Sequence, residues 1–208
     1  MKLWLVLLVA CVACTHDRSR PPPDPKAAVA ALRDTLIRVR AEDQAGRDSI
    51  ALAIAHNDSA FIRRLVHGDS ARTQWLREVV SAHGWPRRSM VGDTAAEAAF
   101  LIVQHSSIDF QQQMLPILEG EAKHGEINAA NVAMLSDRVR VKKGQPQRYG
   151  TQFDVKDNRL VPDSMTDITT VDSLRASVGL TPMAEYVKLL ASMYRIPVEW
   201  PPHSPTRH

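Results

Sequence analysis

The run Ala98-Ala99-Phe100-Leu101-Ile102-Val103 decides the fold, because it is apolar on every side of a helix. It follows Thr94 and Glu97, whose spacing of three residues is typical of a capping box that opens a helix. A helix that is apolar all round must be surrounded by protein. The sequence therefore predicts a central, buried helix that begins near Thr94, with other helices packed around it.

Helical periodicity continues on both sides of this run. Upstream, Asp24 suits an N-cap and Pro25 a first-turn proline, so a helix of about two dozen residues or more should follow. The other predicted helices are a short one at 61–66, one from Asp69 or Ser70 to Gly84, one over 109–124, one from Asn128, and two over 171–178 and 182–194.

The pattern changes after Gly144, where two short runs rich in strand-forming residues predict a β-hairpin. They cover 148–155 and 160–161 and flank a polar turn at 156–159. A chain of 208 residues with 44% hydrophobic and 24% charged residues has ordinary globular composition. The predicted fold class is therefore mainly α, a single-domain orthogonal helical bundle with a small β-hairpin near residues 147–162.

The amino terminus has the pattern of an export signal. Lys2 precedes one apolar run over residues 3–14, which is too short for a permanent transmembrane helix. Small residues before Cys11 and Cys14 resemble the lipobox of bacterial lipoproteins, and this resemblance implies a lipid on the cysteine that follows cleavage. The leader length favours Cys14 over Cys11. A plain signal peptide or a short buried segment is the alternative.

These features predict a division of the chain and a location. We expect a signal peptide at 1–14, a proline-rich tether at 15–25, the helical domain at 26–197 and a flexible tail at 198–208. The protein should be exported to the bacterial cell envelope and held by lipid at a membrane, on the periplasmic side or at the cell surface. A net charge of +3 without a basic block makes a nucleic-acid partner unexpected. No oligomeric state is predicted.

Polar residues at positions expected to be buried indicate a candidate site. His105 follows Leu101 and Ile102 at helical spacing, so it shares the buried face, and Gln104 stands beside it. A buried polar group must find a partner or cost about 1–3 kcal/mol. Either a neighbouring carbonyl satisfies the imidazole, or His105 is a general base or a ligand-binding group.

Two charged residues lie inside the predicted helix that Asn128 caps. Asp137 and Arg138 are adjacent, so they point about 100° apart and each needs its own partner. Asp137 could orient the imidazole of His105, and Arg138 could bind a carboxylate of the protein or of a ligand. Asp43 and Arg47, four residues apart, are better explained as an exposed ion pair.

The segment Gln147-Arg148-Tyr149-Gly150-Thr151-Gln152 is the densest polar stretch of the chain. In a strand, alternate side chains would line opposite faces. Amides and a phenol suit recognition of neutral polar groups, such as those of sugars, peptides or nucleobases, better than they suit chemistry. The alternative is a hairpin edge that hydrogen-bonds into the helices.

Taken together, these motifs resemble a bacterial domain family of unknown function over about residues 40 to 190. The resemblance rests on Asp43-Gln44 with Arg47, Gly84-Trp85-Pro86, Val91-Gly92, Gln104-His105, Phe110-Gln111, Leu115-Pro116, Asp137-Arg138-Val139, Gly144, Gln147-x-Tyr149-Gly150-Thr151-Gln152, Gly179-Leu180 and Tyr186. The family pattern often has Asp where this chain has Ser107. The resemblance implies no activity, but it implies that one signature converges on one pocket, formed by Gln104, His105, Gln111, Asp137, Arg138, Gln147, Tyr149, Thr151 and Gln152.

Three functions fit this pattern. The first is a lipid-anchored module that binds a small polar ligand of the sugar, peptide or nucleobase class through the amides, Tyr149 and Arg138. The second is a hydrolase in which His105, oriented by Asp137, activates water, because the sequence offers no G-x-S-x-G elbow and no cysteine outside the leader. The third is a structural helical spacer. No metal and no cofactor is predicted, since metal-ligating spacings such as H-E-x-x-H are missing.

Overall fold

The structure, a computed structural model, describes residues 24–201. The predicted signal peptide, its cysteines, nearly all of the tether and the end of the tail lie outside the described residues. The helices and strands, in chain order, are α1 (Pro25–Asp48), α2 (Ile50–Ala55), α3 (Ser59–His83), α4 (Arg88–Val91), α5 (Asp93–His105), α6 (Ile108–Lys123), α7 (Ala129–Lys142), β1 (Phe153–Lys156), β2 (Arg159–Pro162), α8 (Val171–Ser177) and α9 (Met183–Tyr194). The predicted class, mainly α with a small hairpin, is confirmed. Among these helices, none combines the length and the apolar composition needed to cross a bilayer.

The centre of the structure is α5, as the apolar run predicts. Its alanines and Phe100, Ile102 and Val103 are buried, and α1, α3, α4 and α6 all pack against it. Leu36 of α1 and Leu76 of α3 belong to the same core cluster. The helix begins at Asp93, next to the predicted start, but the predicted capping box is wrong, because Gly92 is the N-cap and no side chain caps the helix. The buried face of α5 therefore comes from its composition and does not depend on a capping box.

Local capping signals account for several other boundaries. The Asp24 carboxylate accepts a hydrogen bond from Lys26 N at 3.1 Å, and Asn128 Oδ1 accepts one from Ala130 N at 2.9 Å, as predicted. The predicted break at Asp69 is wrong, because α3 runs without interruption from Ser59. The Asp69 carboxylate is used in ion pairs instead of capping a helix.

The hairpin is shorter than predicted. Strands β1 and β2 pair in antiparallel register from Phe153 opposite Pro162 to Lys156 opposite Arg159, and residues 147–152 precede them as a loop. The start of the predicted flexible tail also differs, because Glu199 N donates to the Leu160 carbonyl at 2.8 Å. The chain is therefore held against β2 through residue 199.

Candidate functional site

Asp137 is the anchor of the loop at 147–152. Its side chain is 0% exposed, and Oδ1 accepts hydrogen bonds from Arg148 N at 2.7 Å and Tyr149 N at 3.2 Å. Oδ2 accepts from Thr151 N at 3.2 Å and from the Thr151 hydroxyl at 3.0 Å. The strand predicted here is wrong because backbone donors of successive residues converge on one carboxylate, which an alternating strand does not allow. Asp137 and Thr151 hold the shape of the loop.

The amides of this loop are used within the protein. Gln147 Nε2 donates to the Gln152 carbonyl and to the Asp163 carbonyl, both at 2.9 Å, and Gln147 Oε1 accepts from Gln152 N at 2.8 Å. Gln152 Nε2 donates to the Thr151 hydroxyl at 3.0 Å. An amide has two N–H donors, so Gln147 has none left for a ligand. The expectation that Gln147 and Gln152 bind a ligand stays a prediction, and this geometry does not favour it.

A buried arginine of α8 binds the loop at 147–152. Arg175 of α8 donates from Nη1 to the Tyr149 carbonyl and from Nε to the Thr181 carbonyl, both at 2.6 Å. Its guanidinium carbon lies 4.6 Å from the centre of the Tyr186 ring. Burial lowers the pKa of Arg175 and raises that of Tyr186. Sequence periodicity missed Arg175, because a single arginine in a helix of seven residues looks like an exposed position.

Three other residues of the signature meet at the carboxyl end of α5. Arg138 Nη1 donates to the Gln104 carbonyl at 3.2 Å, and Gln111 Nε2 donates to the same carbonyl at 3.1 Å and to the Ser106 carbonyl at 2.9 Å. Burial lowers the pKa of Arg138. These bonds satisfy the carbonyls that a helix end leaves free. The hydrogen bonds therefore place the residues of the signature in two groups, one at this helix end and one in the loop around Asp137. They do not bring these residues together around one pocket.

His105 pairs with Asp43, which lies 62 residues away in the chain. The distances from His105 Nδ1 are 3.1 Å to Oδ1 and 3.0 Å to Oδ2 of Asp43. The predicted pairing with Asp137 is therefore wrong, because the loop occupies that carboxylate. The ion pair predicted for Asp43 and Arg47 forms at 3.4 Å, but it is not exposed as predicted, since Asp43 is only 3% exposed.

A small set of charges surrounds this pair, and we call it the Asp43 cluster: Asp43, Arg47, Asp69, Arg72 and His105. Arg47 and Arg72 each place Nη2 2.7 Å from Asp69 Oδ1, and they lie 3.4 Å and 3.6 Å from Asp43 Oδ1. Burial by itself raises the pKa of Asp43. The hydrogen bond and charge of His105, followed by the charge of Arg47 and the hydrogen bond from Gln44, outweigh burial and lower it. Asp43 is therefore held as a carboxylate.

Beside this cluster lies a surface cleft of about 500 Å³, which we call the His105 cleft. His105 lines it with a side chain that is 18% exposed, together with Arg77 and a row of hydroxyl-bearing residues between α3 and the start of α6. The cleft is thus the solvent-facing side of the Asp43 cluster.

A second cleft, of about 410 Å³, lies between α6, α7, the loop at 147–152 and α8, and we call it the Tyr149 cleft. Its walls include Lys123, Ser136, Arg148 and Tyr149. Ser136 is only 7% exposed, yet its hydroxyl makes no hydrogen bond with any residue in the described part of the chain. Sequence reasoning missed Ser136, because serine on a helix is usually an exposed residue.

Between residues 24 and 201, no group of three or more His, Cys, Asp or Glu side chains is arranged to hold a metal ion.

Comparison with models of known protein families found a match over most of the chain. A model of one protein family, described as a family of unknown function (DUF6624), matches residues 30–199. No curated protein and no solved structure matches the chain.

Proposed function

The chain belongs to DUF6624, a family of unknown function, and we propose that its domain binds a small polar ligand in the Tyr149 cleft. One observation carries this proposal. Ser136 is 7% exposed in the wall of the cleft, and its hydroxyl has no hydrogen-bond partner among residues 24–201. A hydroxyl without a protein partner that borders a cleft is free to bind water, and a ligand atom can take the place of that water. The cleft volume lies within the range of small-molecule sites, about 300–1,000 Å³.

The charges of the Tyr149 cleft indicate the ligand class. Lys123 and Arg148 carry positive charge and Glu119 carries negative charge, and none of the three makes an ion pair in the described residues. The Arg148 guanidinium carbon lies 5.6 Å from the centre of the Tyr149 ring. Groups of both signs suit a ligand with a carboxylate and an ammonium group. Among sugars, peptides and nucleobases, only the peptide class normally carries both charges, so we favour a short peptide.

Calorimetry with short peptides, sugars and nucleobases tests this proposal. Arg148→Gln should weaken binding of the selected peptide, whereas the matched control Arg159→Gln, an exposed arginine on β2, should not. Ser136→Ala should lower affinity about fivefold, because one hydrogen bond contributes about 1 kcal/mol. If no compound in the three classes binds, the proposal fails and the structural-spacer hypothesis gains.

We also propose that the domain is exported and held at the cell envelope by lipid on Cys14 or, as the alternative, on Cys11. Metabolic labelling with an alkyne fatty acid should label the wild-type protein, and mass spectrometry of the mature amino terminus should locate the lipid. Cys14→Ser should abolish the label and Cys11→Ser should retain it. Labelling of neither wild type nor variants would instead support a plain signal peptide.

A further inference from the structure

We propose that the His105 cleft is a second, hydrolytic site in which His105 is the general base and Asp43 is its positioning residue. His105 is the last residue of α5, and its Nδ1 lies 3.0–3.1 Å from the Asp43 carboxylate oxygens. The other ring nitrogen, Nε2, makes no hydrogen bond with any residue from 24 to 201. The side chain borders the cleft, so solvent and substrate can reach the ring.

The Asp43 carboxylate selects the tautomer that a general base needs. An ionised carboxylate accepts a hydrogen bond, so the neutral imidazole must carry its proton on Nδ1. The lone pair then lies on Nε2. Two carboxylates, Asp43 and Asp69, and two guanidinium groups, Arg47 and Arg72, lie beside His105 and their charges cancel, while Arg77 of α3 adds a positive charge in the cleft. The neutral imidazole is the form able to accept a proton.

Three of the four hydroxyls that line the described part of the cleft are already used as hydrogen-bond donors. Each of three hydroxyls donates to a backbone carbonyl: Ser70 to Val66 at 3.0 Å, Thr73 to Asp69 at 2.7 Å and Ser106 to Val103 at 2.6 Å. The Ser107 hydroxyl accepts from Phe110 N as the N-cap of α6. Because these hydroxyls have structural roles, water is the nucleophile that the site can activate.

The reaction that fits is hydrolysis of an uncharged ester or amide. Nε2 takes a proton from water as the water oxygen attacks the carbonyl carbon, and the carbonyl oxygen becomes an oxyanion. The oxyanion then re-forms the carbonyl and the C–O or C–N bond breaks. The imidazolium returns its proton to the departing alcohol or amine. Arg77 lines the cleft and carries the positive charge available to the oxyanion, and its guanidinium is placed 4.6 Å from the centre of the Phe110 ring.

The substrate class follows from the walls of the cleft. Serine and threonine residues and Gln74 form much of the lining, and the Asp69 carboxylate is already paired with two arginines. A neutral polar acyl group therefore suits the cleft better than an anion or a cation.

The experiment uses the full chain and two sets of probes, 4-nitrophenyl esters of short acyl groups and neutral N-blocked aminoacyl 4-nitroanilides. His105→Gln should lower kcat/KM at least about 100-fold, the usual contribution of a general base. Asp43→Asn should lower kcat at least about tenfold with KM unchanged, because it affects positioning and not substrate contact. The matched control His83→Gln replaces an exposed histidine and should keep wild-type activity.

One further readout separates this role from a structural one. Nitrogen NMR of the wild-type protein should find neutral His105 with its proton on Nδ1, a measurement that needs no variant to fold. A proton on Nε2, or no hydrolysis of any probe above the level of His105→Gln, would overturn the proposal. Peptide binding in the Tyr149 cleft does not depend on His105, so each proposal can fail without the other.

Discussion

A single carboxylate organises the longest irregular segment that borders the Tyr149 cleft. Asp137 accepts three backbone N–H groups and one hydroxyl from the loop at 147–152. A loop of this kind has no ladder partner for its backbone donors, so a buried acceptor is required to satisfy them. The position of Tyr149, and with it one wall of the cleft, therefore depends on a fully buried residue of α7.

The stability of the protein should depend strongly on Asp137. Asp137→Ala leaves several buried donors without an acceptor, and each unsatisfied donor costs about 1–3 kcal/mol, so we expect a loss of at least about 3 kcal/mol in the free energy of unfolding. Urea denaturation measures the loss. Asp48→Ala, which removes an exposed carboxylate at the end of α1, should cost far less. Equal losses in the two variants would contradict the anchoring role.

The lowered pKa of Asp43 predicts how stability depends on pH. Its folded-state pKa lies below the ordinary value of 3.8, so the ionised residue stabilises the fold fully above that value. This stabilisation is lost as the pH falls from about 3.8 through the lowered folded pKa. Unfolding free energies at pH 5, 4 and 3 should therefore decrease less steeply in Asp43→Asn than in wild type. The exposed control Asp48→Asn should keep the wild-type slope, and an unchanged slope in Asp43→Asn would refute the prediction.

At the scale of elements, the loop also depends on a glycine. Gly150 has a φ of 65°, and a Cβ at this position would lie 2.9 Å from Met183 Sδ and 3.2 Å from Met165 Cε. Gly144 has a similar φ of 70° but no heavy atom within 4 Å of the same position. At both positions another residue would be strained by the left-handed backbone. Only at Gly150 would its side chain also meet crowded neighbours.

Alanine at these two positions separates backbone strain from packing. Gly144→Ala should cost about 1–2 kcal/mol, the usual penalty for a left-handed non-glycine residue. Gly150→Ala should cost more, because Met183 or Met165 must also move, and Gly150→Ala should weaken peptide binding in the Tyr149 cleft. Thermal and urea unfolding of the two variants give the comparison. A smaller loss in Gly150→Ala than in Gly144→Ala would show that the methionines yield freely.

Element boundaries could be predicted where the deciding contact is local, and not where it is distant. Asp24 and Asn128 cap helices through donors two residues away, so the local sequence was sufficient to predict where these two helices begin. Asp69 has the same capping chemistry but pairs with Arg47, 22 residues away, and α3 continues through it. The loop at 147–152 has strand-forming residues, and only the distant Asp137 prevents a strand there.

For the whole molecule, the same limit applies to the candidate sites. Helical spacing predicted His105 on the buried face of α5, where its side chain is 18% exposed, but it could not choose between Asp137 and Asp43, because the choice depends on how α1 packs against α5. The sequence identified the amides of the signature. That Gln147 binds the carbonyls of Gln152 and Asp163 could be seen only in the structure. Polar motifs in the sequence indicated which residues must find partners but not which partners they find.

The absence of cysteine from the domain predicts its response to redox conditions. Both cysteines of the chain, Cys11 and Cys14, precede the described residues, so no disulfide can form within 24–201. Many exported domains lose about 2–5 kcal/mol when a native disulfide is reduced. Here the thermal midpoint should be the same with and without dithiothreitol, because helix packing around α5 supplies the stability. A double variant with serine at both cysteines is the control for intermolecular disulfides. A lower midpoint in reductant for wild type but not for this variant would show that linked dimers contribute to stability.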